Sequence, residues 1–122
     1  MTLDYLDFDY SEDTEGVGVF DAMASTGAQQ VAAVQAEIVQ VLDWAHAAFG
    51  APHEAIGDRG DWDYDLQGVQ ESSVPQTMDF DPVERRLRVQ PGAPGAVRHT
   101  VSVSISGTEA FCAAFRQAFE LD

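Results

Sequence analysis

The chain has 122 residues, 45% of them hydrophobic and 22% charged, with 21 Asp and Glu against 6 Lys and Arg for a formal net charge of -15. That is one domain's length, expected to span residues 1–122, with apolar content enough for a core and well above the disordered range. A field of this sign repels phosphate backbones, which excludes nucleic-acid binding through a basic footprint, and it attracts cations and basic proteins instead.

In chain order, Leu6-Asp7-Phe8-Asp9-Tyr10 alternates apolar and acidic residues with period two and predicts a strand over residues 3–10. The turn cluster Ser11–Gly16 leads into a second run, Val17–Met23, which makes a hairpin. Thr26-Gly27-Ala28-Gln29 fits a capping box, in which Thr would accept a first-turn N–H and Gln would reach back to the cap. Val31, Val34, Ile38, Val41, Leu42, Ala45 and Phe49 then recur at spacings of three and four, so a long helix follows, stopped by Gly50 and Pro52. Its opposite side, with Ala33, Ala36, Val39, Gln40 and Ala47, is short of charge for a water-facing helix. It suits either a plain Ala-rich surface or a homodimer contact through Ala36 and Val39.

After a polar connection over residues 51–60, Asp61-Trp62-Asp63-Tyr64-Asp65-Leu66 repeats the alternation most strongly and predicts a strand running to about Gln70. Glu71–Pro75 breaks it. Thr77–Phe80, the turn Asp81-Pro82-Val83-Glu84, and Arg85–Gln90 read as a hairpin, with Asp79 opposite Arg86 and Met78 opposite Leu87 on the core side. The loop Pro91–Gly95 precedes a strand in Val97–Ile105. Ser106-Gly107-Thr108-Glu109 offers a second capping box, and Phe111, Phe115, Ala118 and Phe119 form the apolar stripe of a closing helix.

The order β-β-α-β-β-β-β-α with short connections predicts the α+β class: a single antiparallel sheet of five or six strands, with both helices packed on one face. The long helix would cover the aromatic side made by Phe8, Trp62, Tyr64 and Phe80. Asp7, Asp9, Asp61, Asp63 and Asp65 would then project from the other side into solvent.

No motif for a specific reaction accompanies this pattern. Asp61, Asp63 and Asp65 occupy the first, third and fifth places of a calcium loop, but Leu66 stands where Gly is required and Ser72 where a bidentate Glu belongs. His46, His53, His99 and Cys112 lack zinc-ligand spacing, so neither metal nor cofactor is expected. Cys112, the sole cysteine, adjoins the Phe stripe and reads as a small buried hydrophobe; it leaves no intramolecular disulfide and agrees with a reducing compartment. Met1-Thr2-Leu3-Asp4 has no basic n-region, and no apolar run reaches the roughly 18 residues of a membrane span, so a cytoplasmic location without membrane insertion is expected.

With chemistry-bearing motifs missing and one-signed charge abundant, the sequence points to a non-catalytic acidic module, such as an inhibitor, immunity-type protein or adaptor. Such a module would dock a basic protein through Asp7, Asp9, Asp61, Asp63 and Asp65. The alternatives are a small enzyme or ligand-binding protein with a pocket between sheet and helices, and a structural homodimer.

Overall fold

Six strands and two helices form in the expected order in a computed structural model that describes residues 1–56 and 60–121. They are β1 (Asp9–Glu12), β2 (Gly18–Gly27), α1 (Val31–Phe49), β3 (Trp62–Glu71), β4 (Gln76–Asp81), β5 (Arg86–Pro91), β6 (Arg98–Gly107) and α2 (Glu109–Ala118). Residues 57–59, within the connection between α1 and β3, lie outside the described residues.

The long strands β2 and β6 pair antiparallel from Gly18↔Gly107 to Gly27↔Arg98. β3 pairs with the other side of β6, from Trp62↔Gly107 to Glu71↔Arg98, and β1 adds to the outer edge of β2. The result is a four-stranded sheet of order β1-β2-β6-β3. Strand alternation sends Phe20, Ala22 and Ala24 of β2, Val103 and Ile105 of β6, and Trp62 of β3 to one side, where all are buried. Both helices cover that side, α1 through Val34, Ile38, Val41 and Ala45 and α2 through Phe111, Cys112 and Phe115, with Phe119 just beyond. Each of these phenylalanines contributes roughly 1.5–3 kcal/mol by leaving water.

Aromatic packing fixes how the layers meet. Trp62 has no exposed surface, lies parallel to Phe111 at 5.7 Å between centroids, and donates its indole N–H to the Gly50 carbonyl at 2.9 Å. Trp44 of α1 packs within about 6 Å of Phe49, Phe111, Phe115 and Phe119. Gly107 is required at its position, because any side chain there would run into the Phe111 ring.

The two helix starts differ from expectation for one reason: strand pairing continues past the local capping signals. Thr26 belongs to β2, opposite His99, so the ladder overrides its capping box; a 3-10 turn over Ala28–Gln30 then leads into α1 without a side-chain cap. Ser106 likewise remains in β6, and Thr108 caps α2 by accepting the Phe111 N–H at 3.3 Å. The stop at Gly50 is as expected, with φ of 80° and its N–H on the His46 carbonyl.

The strands do not make the single sheet of five or six that the pattern suggests. β4 and β5 pair only with each other, in a separate two-stranded sheet. Beyond Glu71 and before Arg98, the two chains remain joined by Gly95 N–H to Ser73 O and Gly92 N–H to Pro75 O, both 2.7 Å. They thus extend the β3–β6 hairpin outward as an arm. Pro75, Pro91 and Pro94 lie in this stretch and lack the N–H that a regular ladder needs. Phe80 and Met78, expected in the core, are consequently 65% and 56% exposed on the arm. The hairpin register also shifts by two residues: Asp79 faces Arg88, Asp81 faces Arg86 and Phe80 faces Leu87. Its loop is four residues long, Pro82–Arg85, with Arg85 at φ 55°, where a two-residue turn was expected.

Candidate functional site

The face of the sheet turned away from the helices carries the candidate site. Alternation dictates its residues: Asp21, Met23 and Ser25 of β2, Thr100 to Ser106 at even positions of β6, and Asp63, Asp65, Gln67 and Val69 of β3. Register then aligns them across the strands. Asp9 of β1 faces Asp21 of β2, Asp21 faces Ser104 of β6, and Ser104 faces Asp65 of β3. One transverse row therefore reads Asp9, Asp21, Ser104, Asp65, spanning about 14 Å at the usual strand spacing. The neighbouring rows are Ser11, Val19, Ser106, Asp63 on one side and Met23, Ser102, Gln67 on the other.

An open concavity of about 610 Å³ lies over this row, lined by Asp7, Asp9, Asp21, Met23, Asp65, Gln67, Ser102 and Ser104 with Ala22 and Val103 behind. Among the described residues its lining holds four carboxylates and no basic side chain. Arg98 stands on the same face but at the far end, where Nε donates to Ser25 Oγ at 2.8 Å and its terminal nitrogen to Ser25 O at 3.1 Å. Like charges set directly opposite, as Asp9 and Asp21 are, cost a few tenths of a kcal/mol.

Of the five aspartates expected on this face, Asp7, Asp9 and Asp65 line the concavity. Asp63 shares the face one row away, opposite Ser106. Asp61 precedes β3, and its carbonyl accepts the Thr108 N–H at 2.9 Å, so it serves the start of α2 and does not line the concavity. β1 and β3 are opposite edges of the four-stranded sheet, so the expected β1-side and β3 aspartates are separated by β2 and β6 and do not sit on adjacent strands. Arg86 and Arg88 lie on the arm, against Glu84 at 2.9 Å and Asp81 at 2.7 Å, and do not offset this face.

Two residues that position the site escaped the sequence pattern. Asp21 completes the row; its parity relative to Phe20 and Ala22 was the available signal. Glu37 of α1 accepts the backbone N–H groups of Asp4 at 2.8 Å, Tyr5 at 3.0 Å and Leu6 at 3.1 Å. Three consecutive amides on one carboxylate make an anion-binding nest that seats Leu6 in the core and sets the course of the chain into Asp7 and Asp9.

The remaining titratable groups are dispersed. His46 packs edge-on against Trp62 at 5.3 Å, His53 accepts the Ala55 N–H at 3.0 Å, and His99 sits in β6 opposite Thr26. Among the described residues, no group of three or more His, Cys, Asp or Glu is placed to hold a metal ion. Cys112 is buried and burial pushes its thiol pKa up, with the nearby Arg116 partly opposing; its Sγ rests 3.5 Å from the Gly107 carbonyl. Such a thiol is a poor nucleophile at neutral pH. Tyr10 is also raised, chiefly by donating its hydroxyl to Glu12 at 2.8 Å, and Arg116 lies 3.9 Å over its ring.

A second, apolar depression of about 360 Å³ runs between α1 and the β3–β6 pair, lined by Gln35, Ile38, Val39, Leu66, Gln67, Gly68 and Val101. Ala36 and Val39, expected on the unpartnered side of α1, are both exposed. Among the described residues no helix is long and apolar enough to cross a membrane. Comparison of the chain with protein-family models, with curated proteins and with solved structures finds no match.

Proposed function

We propose that this chain is a non-catalytic binding module that docks a basic protein on the open face of its four-stranded sheet. The observation that carries the reading is the transverse row Asp9, Asp21, Ser104, Asp65, joined by Asp7 around a concavity whose lining, among the described residues, has no basic side chain. Carboxylates concentrated on one concave surface of a molecule of net charge -15 focus the field outward. The serines between them supply donors and acceptors that adapt to Lys or Arg side chains. A docked guanidinium would neutralise adjacent acids, so binding would relieve repulsion already present in the free protein. This mode of docking suits an inhibitor, immunity-type protein or adaptor, and the charge of the face selects a basic partner. A small-molecule role has less to recommend it, since Trp62, Phe20, Phe111 and Phe115 fill the centre between sheet and helices, the apolar depression beside Ile38, Val39 and Val101 is lined by no titratable side chain, and among the described residues no fully buried residue is polar.

The test uses the basic partner recovered by co-purification from the native cell. Association rates would be measured for the wild type and for a variant with Asp9, Asp21 and Asp65 all changed to Asn, at two salt concentrations. The wild-type rate should fall steeply with salt, and the variant should associate at least about tenfold more slowly at low salt with a flattened salt response. Equal rates for both proteins at both salts would remove this face from the functional account.

A further inference from the structure

The β4–β5 arm is an exposed surface distinct from the acidic sheet face. Every residue of its two strands is exposed except Asp81. One side is apolar: Met78 pairs with Val89 and Phe80 with Leu87, at exposures of 56%, 47%, 65% and 57%. Val83 at the tip is 88% exposed. The other side is polar and internally matched, with Asp79 opposite Arg88, Asp81 opposite Arg86, and Arg88 bonded to Asp81 at 2.7 Å. An isolated two-stranded ribbon is marginal in water, and an uncovered apolar face on it is a liability unless something covers it.

We propose that a second copy of this chain covers it, the apolar faces of two arms packing against each other about a twofold axis. Charge and area both support this occupant. Residues 76–91 carry Asp79, Asp81 and Glu84 against Arg85, Arg86 and Arg88, so the arm is formally neutral and the whole net charge of -15 resides elsewhere. A basic partner would be drawn to the acidic sheet face and has no electrostatic reason to choose the arm. Another copy is repelled by the acidic sheet face and meets no net charge at the arm. A six-residue strand extends about 20 Å, so arms that meet can hold the acidic bodies apart by more than the Debye length of about 8 Å at physiological ionic strength. The exposed apolar side chains, Val83 included, amount to on the order of 500 Å² per copy, or about 1,000 Å² for the pair when all are covered, the size of a weak self-association. Face-to-face packing leaves the matched Asp–Arg side of each ribbon in water.

Sedimentation equilibrium on the full chain tests the proposal, from about 10 μM to about 1 mM and at low and high salt. The wild type is expected to dimerise, more tightly at high salt because added ions screen repulsion between the bodies. Phe80→Glu with Leu87→Glu should weaken the dimer by more than about a hundredfold while leaving the thermal transition of the body in place. The milder Phe80→Ser should weaken it about tenfold and serves if the double variant misfolds. Ala36→Glu with Val39→Glu, on the exposed side of α1, should leave the dimer intact. So should the Asn replacements on the acidic face, which separates this proposal from the fate of the docking reading. A wild type that stays monomeric throughout, a dimer that survives the arm variants, one that the α1 variant dissolves, or one that salt weakens would each overturn it.

Discussion

Replacing Trp62 by Ala removes the side chain on which sheet, α1 and α2 all converge. The ring is 0% exposed, lies parallel to Phe111 at 5.7 Å and to Tyr64 within 22° at 5.8 Å, and meets His46 edge-on. Truncation of a fully buried aromatic costs about 3–5 kcal/mol, combining lost transfer energy with the cavity left behind. The opposing strand residue is Gly107, which has no side chain to move into the gap, so relaxation is limited and the upper part of that range applies. Loss of the indole N–H to Gly50 O adds about 0.5–1.5 kcal/mol, at the low end because Gly50 is itself exposed and water can replace the donor. With total stability of about 5–15 kcal/mol for a domain of this size, the variant should lose a third or more of it. Urea unfolding followed by the fluorescence of Trp44 reads this directly, and a slope of about 1–3 kcal/mol per molar converts the loss into a midpoint shift of 1 M or more. Trp62→Phe should fall between, keeping the stacking and losing the hydrogen bond. A midpoint for Trp62→Ala within about 0.3 M of wild type would refute the packing argument and, with it, the register that places Trp62 opposite Gly107.

Other outcomes follow from the N-terminal nest and from the arm. Glu37→Ala should release the amides of Asp4, Tyr5 and Leu6, so their hydrogen-exchange protection drops at least about tenfold and stability falls by about 1–2 kcal/mol as Leu6 loosens; unchanged protection would show that the nest does not hold this segment. At the arm tip, the Asp81 carboxyl is held below its usual value, first by the Glu84 N–H, then by the Val83 N–H and by Arg88. A depressed folded value means that the stabilisation is present above the unfolded pKa of about 3.9 and is lost as pH falls through the folded value. The Val83 and Glu84 amide resonances should therefore hold their positions down to about pH 4 and move toward random-coil values below it, and Asp81→Asn should abolish that transition.

How far the sequence could be read depended on the range of the interaction. α1 and α2 were legible because spacings of three and four are set by the helix itself, and Trp62 because alternation over Asp61–Leu66 is local. Phe80 carries the same signature, an aromatic between two aspartates, and has the opposite fate. Period two states that a strand has an apolar side; what covers it depends on segments distant in the chain. Here α1 and α2 both lie over the four-stranded sheet, and the prolines at 75, 91 and 94 let the β3–β6 hairpin run past them. Thr26 makes the converse point, since its capping signal is sound but its neighbour in space is His99 of β6, 73 residues away. Within the site, Asp9 and Asp65 were accessible to parity. That they share a row with Asp21 required the order β1-β2-β6-β3, which no local pattern encodes. Glu37 was hidden for the same reason, because its partners are the amides of residues more than 30 positions earlier.

The two surfaces respond to the same field with opposite sign. The acidic row keeps Asp9 and Asp21 face to face, a register that costs stability in the free protein and that a single Asn would relieve. Repulsion of this kind is tolerated where activity requires it, and it weakens as salt rises. On the docking proposal, attraction of a basic partner to the row would therefore decline with salt. On the dimer proposal, contact between neutral arms, opposed by repulsion between the bodies that carry them, would grow stronger. A salt series thus separates the two kinds of association: an affinity that falls with ionic strength points to the acidic sheet face, and one that rises points to an uncharged contact, which the arm variants then assign. If both hold, dimerisation through the arms would present two acidic faces on one particle, and a partner with two basic sites would bind with an effective concentration set by the arm length instead of by its bulk level.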